Sequence, residues 1–383
     1  MMCAQSKAQI GWTFPCRSLK IWAVSLAPIN STRHQSRIPW WLWPNVLSLD
    51  APLVAVLCQA ALARAHKVAL LPSVYVALFL AVWLIYVVDR VLDGYSMQKS
   101  ERLSARHAFY KTHRRLVLLL LIPGGLLSLL WIALMEIPAG IFWRGLALGF
   151  IVALYLLHFA ARGHRGIYLA GNVAACVVGG VVLWLLPLPA AFKVLYGTVL
   201  VALMALAAGG AARDTFRFLP KEAVCGYLFA IGCSLSVNFF TGDQQAHPFS
   251  PEVLMLALLC ALNCVAVSCY ERAADTHPDP NGITQTFPHM ARVYPMLLLC
   301  LGAVACWTLS HKMPVPLFLF CSALLLSTIL LGVVHHLARR MTPELSHVLA
   351  DVAIALPVLA VVLAPEHLPR IASLLRAGLP FLE

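Results

Sequence analysis

Trp83–Arg115, WLIYVVDRVLDGYSMQKSERLSARHAFYKTHRR, closes one apolar run and leads into the next. The run predicts a helix, and Asp89 and Asp93 fall on its last turns. Carboxylates at i and i+4 share one helical face. A helix C-terminus is already the negative end of the helix dipole, so the two acids repel it and each other. A cation must compensate: a divalent metal, or the neighbouring Arg90 in an internal ion pair. Behind the acids come Arg102, Arg106, His107, Lys111, His113, Arg114 and Arg115. That density suits an anion riding on the metal, because Arg offers paired contacts to phosphate. It also suits membrane topology and lipid headgroups.

Composition sets the frame around this stretch. Of 383 residues, 61% are hydrophobic and only 11% charged, with a mean hydropathy of +0.82. This is the composition of a polytopic membrane protein and excludes a soluble globular domain. The net charge of +12 does not indicate nucleic acid, because Lys and Arg are confined to the gaps between apolar runs. The twelve Cys lie mostly inside apolar runs without a CxxC pair and read as small hydrophobes. Residues 1–40 are mixed and basic, and their longest apolar piece, Ile21–Ile29, is too short to span. They read as a cytoplasmic N-terminal tail without fixed structure. Residues 41–366 form the transmembrane domain and 367–383 a C-terminal tail.

A span needs about 20 apolar residues. By that measure eleven candidates lie near 45–63, 69–88, 116–135, 141–161, 167–187, 193–212, 223–241, 252–270, 293–310, 315–336 and 346–364. The Gly-rich fifth and sixth also read as a re-entrant pair, so the expected fold is an all-α polytopic transmembrane bundle of about 9–11 spans. With the N-terminus inside, 21 of the 28 Lys and Arg fall on the cytoplasmic side: five in the tail and the rest after the even-numbered spans. This is the bias of the positive-inside rule.

A second stretch follows the same pattern. Span eight ends with Glu271-Arg272-Ala273-Ala274-Asp275, matching Asp89-Arg90-Val91-Leu92-Asp93 as acid-Arg-x-x-Asp, and Asp279 follows four residues later. The charge count puts both at cytoplasmic helix ends. Two facing acid pairs suit magnesium, a hard cation that takes carboxylate and phosphate oxygens. Asp89, Asp93, Glu271 and Asp275 are the candidate metal ligands and catalytic residues. Arg90, Arg272, Arg106, His107, His113 and Arg114 are candidate contacts for an anion riding on that metal.

These residues resemble the UbiA superfamily of intramembrane prenyltransferases. The family's first motif reads roughly Asn-Asp-x-x-Asp-Arg-x-x-Asp. Its latter half is present as Asp89–Asp93, while Ile85 and Tyr86 take the places of Asn and the leading Asp. In the second motif Ser268 stands where another Asp is often found. Asn263, Ser48–Val56, Leu219–Glu222 and Leu349–Asp351 also look familial, so the similarity spans about 45–364. The resemblance implies about nine helices, a Mg2+ cofactor, a polyprenyl diphosphate donor among the membrane lipids, and substrate-binding roles for Lys221 and Asn263. The loss of half the acids bears on metal stoichiometry and leaves open a non-catalytic relative that binds a lipid or a protein.

A transporter would carry ionisable groups near mid-span, whereas here they gather at span ends. Asp50 and Asp351 read as charges capping helix starts. Gln59, His158, Asn172 and Asn238 read as bonds between helices. Trp40, Trp41, Trp43 and Trp143 read as interface anchors.

Overall fold

A computed structural model describes residues 38–96, 105–160, 220–273 and 282–364, with scattered positions from 173 to 201. Side chains at 92–96, 105–107, 154 and 157–160 lie outside that description. Most of the two predicted tails and most of spans five and six lie outside it as well. Among the described residues there is no strand.

The chain opens with α1 (Trp43–Val46), α2 (Asp50–Ala65) and α3 (Pro72–Ser96), followed by the short basic α4 (Ala105–Thr112). Next come α5 (Arg114–Leu116), a π-helical turn over Val117–Leu121, α6 (Ile122–Met135) and α7 (Ala139–Ala160). After the scattered positions follow α8 (Lys221–Phe240), α9 (Pro251–Ala273), α10 (Ile283–Thr286), α11 (Met290–Ser310), α12 (Val315–Leu337) and α13 (Pro343–Leu363). Seven helices among the described residues are long and apolar enough to cross a membrane, and α1 with α2 makes an eighth if taken as one span. The protein is an all-α polytopic membrane bundle.

Two local departures from the sequence reading have physical causes. The expected first span is broken: α1 and α2 meet at 79°, around Ser48, whose φ of 56° lies in the left-handed region that cannot continue a right-handed helix. The third span begins in a π turn just before Pro123. Proline has no N–H to complete the regular i→i−4 ladder there.

Burial ranks the spans. α8 and α9 are 61% buried over their apolar windows, whereas Arg114–Met135 is 11% buried. α8 is packed on two sides. Ala230, Cys233 and Val237 join a core with α2, α9, α11, α12 and α13. Val224, Leu228, Ile231 and Leu235 join a second core with α7, Phe192 and Tyr196. A helix apolar all round belongs in the middle. Peripheral α6 presents Leu127 and Trp131 outward, where lipid is as good a solvent as a neighbouring helix.

The far ends of these helices are tied by polar contacts. Arg64 at the end of α2 donates to the carbonyls of Val362 and Ala364, which the end of α13 leaves without helical partners. Arg144 is buried near the start of α7, donating to both Asp243 oxygens at 2.6 and 3.0 Å and to Asn238 Oδ1 at 3.2 Å. The rings of Phe192 and Phe239 flank its guanidinium at 5.4 and 5.1 Å. Gln59 bonds across helices to Ser236 at 3.4 Å, as its isolated place in a span predicts.

Candidate functional site

The other end of the bundle collects the residues singled out in the sequence. α3 carries Asp89 and Arg90, both partly buried, toward its C-terminal end. α8 starts there after Pro220, with Lys221 and the buried Glu222 in its first turn. α9 finishes there with Ser268, Glu271 and Arg272. Opposed helix directions thus bring two C-termini beside an N-terminus, placing positive dipole and backbone N–H groups among the acids.

Short α10 closes this end. Glu222 Oε1 accepts from the Ile283 N–H at 2.8 Å. Ser268 Oγ and Thr284 Oγ1 lie 3.0 Å apart, and Arg272 donates to the Thr284 carbonyl. The start of α8 and the end of α9 are therefore bridged by one turn of chain. Ser268, standing in an expected Asp position, bonds the cover.

A second polar layer lies deeper. Asn263 Nδ2 donates to Asp351 Oδ1 at 2.8 Å, while Asn263 Oδ1 is buried without a hydrogen-bond partner. The expectation that Asp351 caps a helix start needs correction. α13 starts at Pro343, with Thr342 Oγ1 accepting from Leu345 N at 3.3 Å, so Asp351 lies two turns inside it. The sequence Thr342-Pro343-Glu344 carries that start signal, and an acid within a span needs a partner. Asp50 does occupy the first turn of α2, accepting from Asn45 Nδ2 at 2.7 Å and from Ala51 N at 3.0 Å.

Electrostatic neighbourhoods show which groups converge. Cys225 lies near Lys221, Asp89 and Glu222, with Cys264 of α9 beside it. Tyr155 of α7 lies within reach of Asp89 and Glu222, and Tyr86 of α3 within reach of Asp50 and Asp351. Tyr86 thus faces the same polar interior. Tyr155 and the Cys225–Cys264 pair carried no spacing signal in the sequence; only packing brings them in.

The basic stretch reaches this end through α4. Tyr110 OH donates to Ser48 Oγ at 3.1 Å, Trp43 and Phe109 meet edge to face at 6.2 Å, and Arg90 and Asp50 both lie within electrostatic reach of Tyr110. Arg106 precedes Tyr110 by one turn of α4; its side chain and that of His107 lie outside the described residues, as do the side chain of Asp93 and all of Asp275. His113 is exposed, its ring 4.5 Å from that of Phe109 and its Nδ1 3.0 Å from the Phe109 carbonyl. Arg114 is half-buried at the start of α5.

Among the described residues no three His, Cys, Asp or Glu gather as a metal centre. Magnesium asks for less than that, because it is commonly bound by one or two carboxylates with substrate phosphates completing its shell. Asp89 and Glu271 are the members of the two acid pairs whose side chains are described.

Glu222→Ala tests the cover over the site. The Ile283 N–H would lose its buried acceptor, at about 1–3 kcal/mol, so faster hydrogen exchange at Ile283 is expected while amides in the middle of α8 keep their protection. Unchanged exchange at Ile283 would mean that Glu222 does not hold α10. The chain matches no family model, no curated protein and no solved structure.

Proposed function

We propose that the protein is a UbiA-like prenyltransferase of the cytoplasmic membrane, with its N-terminus in the cytoplasm. It would move a prenyl group from a polyprenyl diphosphate to an acceptor held within the bundle. The reading is carried by one observation: α10 ties the start of α8, with Lys221 and Glu222, to the end of α9, with Ser268, Glu271 and Arg272.

The chemistry follows from the groups present. Breaking the allylic C–O bond leaves both electrons on the diphosphate, so the site must lower the cost of that charge. Arg90 and Lys221 supply positive charge, and the N-terminus of α8 adds its dipole. Asp89, Asp93, Glu271 and Asp275 would hold Mg2+, which when bound neutralises diphosphate oxygens. His113, Arg114 and Arg272 would serve as further anion contacts, and by the sequence reading so would Arg106 and His107. Asn263, with a spare buried acceptor, can take a hydrogen bond from a bound group. The apolar helices below keep water from the allylic cation, which instead bonds the acceptor as that acceptor loses a proton.

Purified protein is expected to bind farnesyl diphosphate only with Mg2+, and Asp93→Asn and Asp275→Asn are each expected to weaken that binding. Wild-type binding in both variants would defeat the metal-site assignment. A second reading, a non-catalytic relative that binds a lipid or protein, is favoured by Tyr86 and Ser268 at acid positions, the latter tied to Thr284. Failure of the wild-type protein to bind any prenyl diphosphate with Mg2+ would select it.

A further inference from the structure

A groove of about 880 Å³ runs between α11 and α12, within the roughly 300–1,000 Å³ range of ligand clefts, and its His335 stacks on Tyr270 near the end of α9 with ring centroids 6.0 Å apart. Leu298, Leu299, Leu325 and Ile329 form its apolar walls, and Gly302 and Gly332 leave room along it. It opens outward: Leu299 is 74% and Ile329 55% exposed. From Arg292 to Cys306, both lining residues, the helix rises about 21 Å. That is deeper than one leaflet, half of a hydrocarbon core of about 30 Å.

The polar lining lies at one end. Arg292 in the first turn of α11, His335 and His336 in the last turn of α12, and Arg339 just beyond it meet there. No carboxylate is among the described residues lining the groove. Pro295 cannot donate to the Ala291 carbonyl, and the His335 imidazole lies beside that carbonyl. The Tyr294 ring, 4.5 Å away, holds the imidazole from the buried side. Arg292, His336 and Arg339 are exposed and remain on the groove's open side.

A basic head joined to a long apolar trough open to the bilayer complements one kind of molecule. A soluble anion would use only the head, and a neutral lipid only the trough. Basic pockets between transmembrane helices on the cytoplasmic side are suited to anionic headgroups, and Arg to their phosphate oxygens. We propose that this groove is a binding site for one anionic glycerophospholipid. Its phosphate lies at Arg292, His336 and Arg339, and one acyl chain lies along α11 and α12 past Gly302.

The full-length protein in detergent, titrated with dioleoyl phosphatidylglycerol or dioleoyl phosphatidylcholine and read by native mass spectrometry, tests this site. One phosphatidylglycerol is expected to bind at least tenfold more tightly than phosphatidylcholine. Arg292→Gln combined with Arg339→Gln, both exposed positions, should remove that preference. Gly302→Phe should weaken both lipids with the basic head intact, since a Cβ at Gly302 meets only Leu325 Cδ1 at 4.0 Å. Equal binding of the two lipids, or phosphatidylglycerol affinity unchanged in the double variant, would overturn the proposal. Displacement of the lipid by millimolar inorganic phosphate would overturn it too, since the acyl chain would then contribute nothing. Displacement by farnesyl diphosphate in place of phosphatidylglycerol would assign the groove to a prenyl donor and equally reject it.

Discussion

Gly226→Leu is expected to leave little folded protein in the membrane. A Cβ at this position would sit 2.4 Å from Ala261 N, 2.6 Å from Ala257 O and 2.7 Å from Ala261 Cα. All three are main-chain or Cα atoms of α9, so no rotamer change relieves the clash and α8 and α9 must move apart. Those helices are the most buried spans measured, and close approach over small residues is how membrane helices gain packing energy. Overpacking costs about 1–3 kcal/mol, occasionally more. With backbone as the obstacle the upper end applies, against a total stability of about 5–15 kcal/mol. The control is Gly149→Leu, where nothing lies within 4 Å of the added Cβ. Thermal unfolding in detergent should show a large drop for position 226 and little change for position 149. Equal melting of the two variants would mean that α8 and α9 do not cross at Gly226.

Asp89→Asn is expected to weaken Mg2+-dependent binding of farnesyl diphosphate by about 10- to 100-fold, or about 1.4–2.8 kcal/mol. The change keeps the shape of the side chain and removes its charge. Asp89 is partly buried and its field extends to Cys225 and Tyr155 inside the bundle. Charge matters more there than in water. Glu136→Gln, at an exposed position beyond the other end of α6, should leave binding as it is. Asp89→Asn protein that binds the diphosphate like the wild type would remove this helix end from the proposed site, whatever the fate of the second acid pair.

How far the sequence reached is best judged residue by residue. Hydropathy located seven spans among the described residues and their charged ends because both are local properties: an apolar run must reach across the bilayer, and a charge resists entering it. Asp89 and Asp93 were assigned to one helix, and α3 does continue through both, to Ser96. The break at Ser48 is not legible in the sequence because Ser carries no obligatory turn signal. Asp351 lies inside α13 because the Thr342-Pro343-Glu344 start falls two turns earlier.

Contacts between distant segments were not legible at all. Asn263 meets Asp351 across 88 residues and Glu222 meets Ile283 across 61, and no periodicity within either segment encodes its partner. From its own sequence, then, this protein's class was settled: an all-helical membrane bundle with acids and arginines gathered at helix ends. The tertiary structure alone decided which of those ends meet, which polar groups are already satisfied by one another, and that a groove between α11 and α12 opens outward. The reason is physical: hydrophobicity and helical repeat act along a single segment, whereas partner choice depends on how closely whole helices can approach, and at Gly226 on the absence of a single carbon atom.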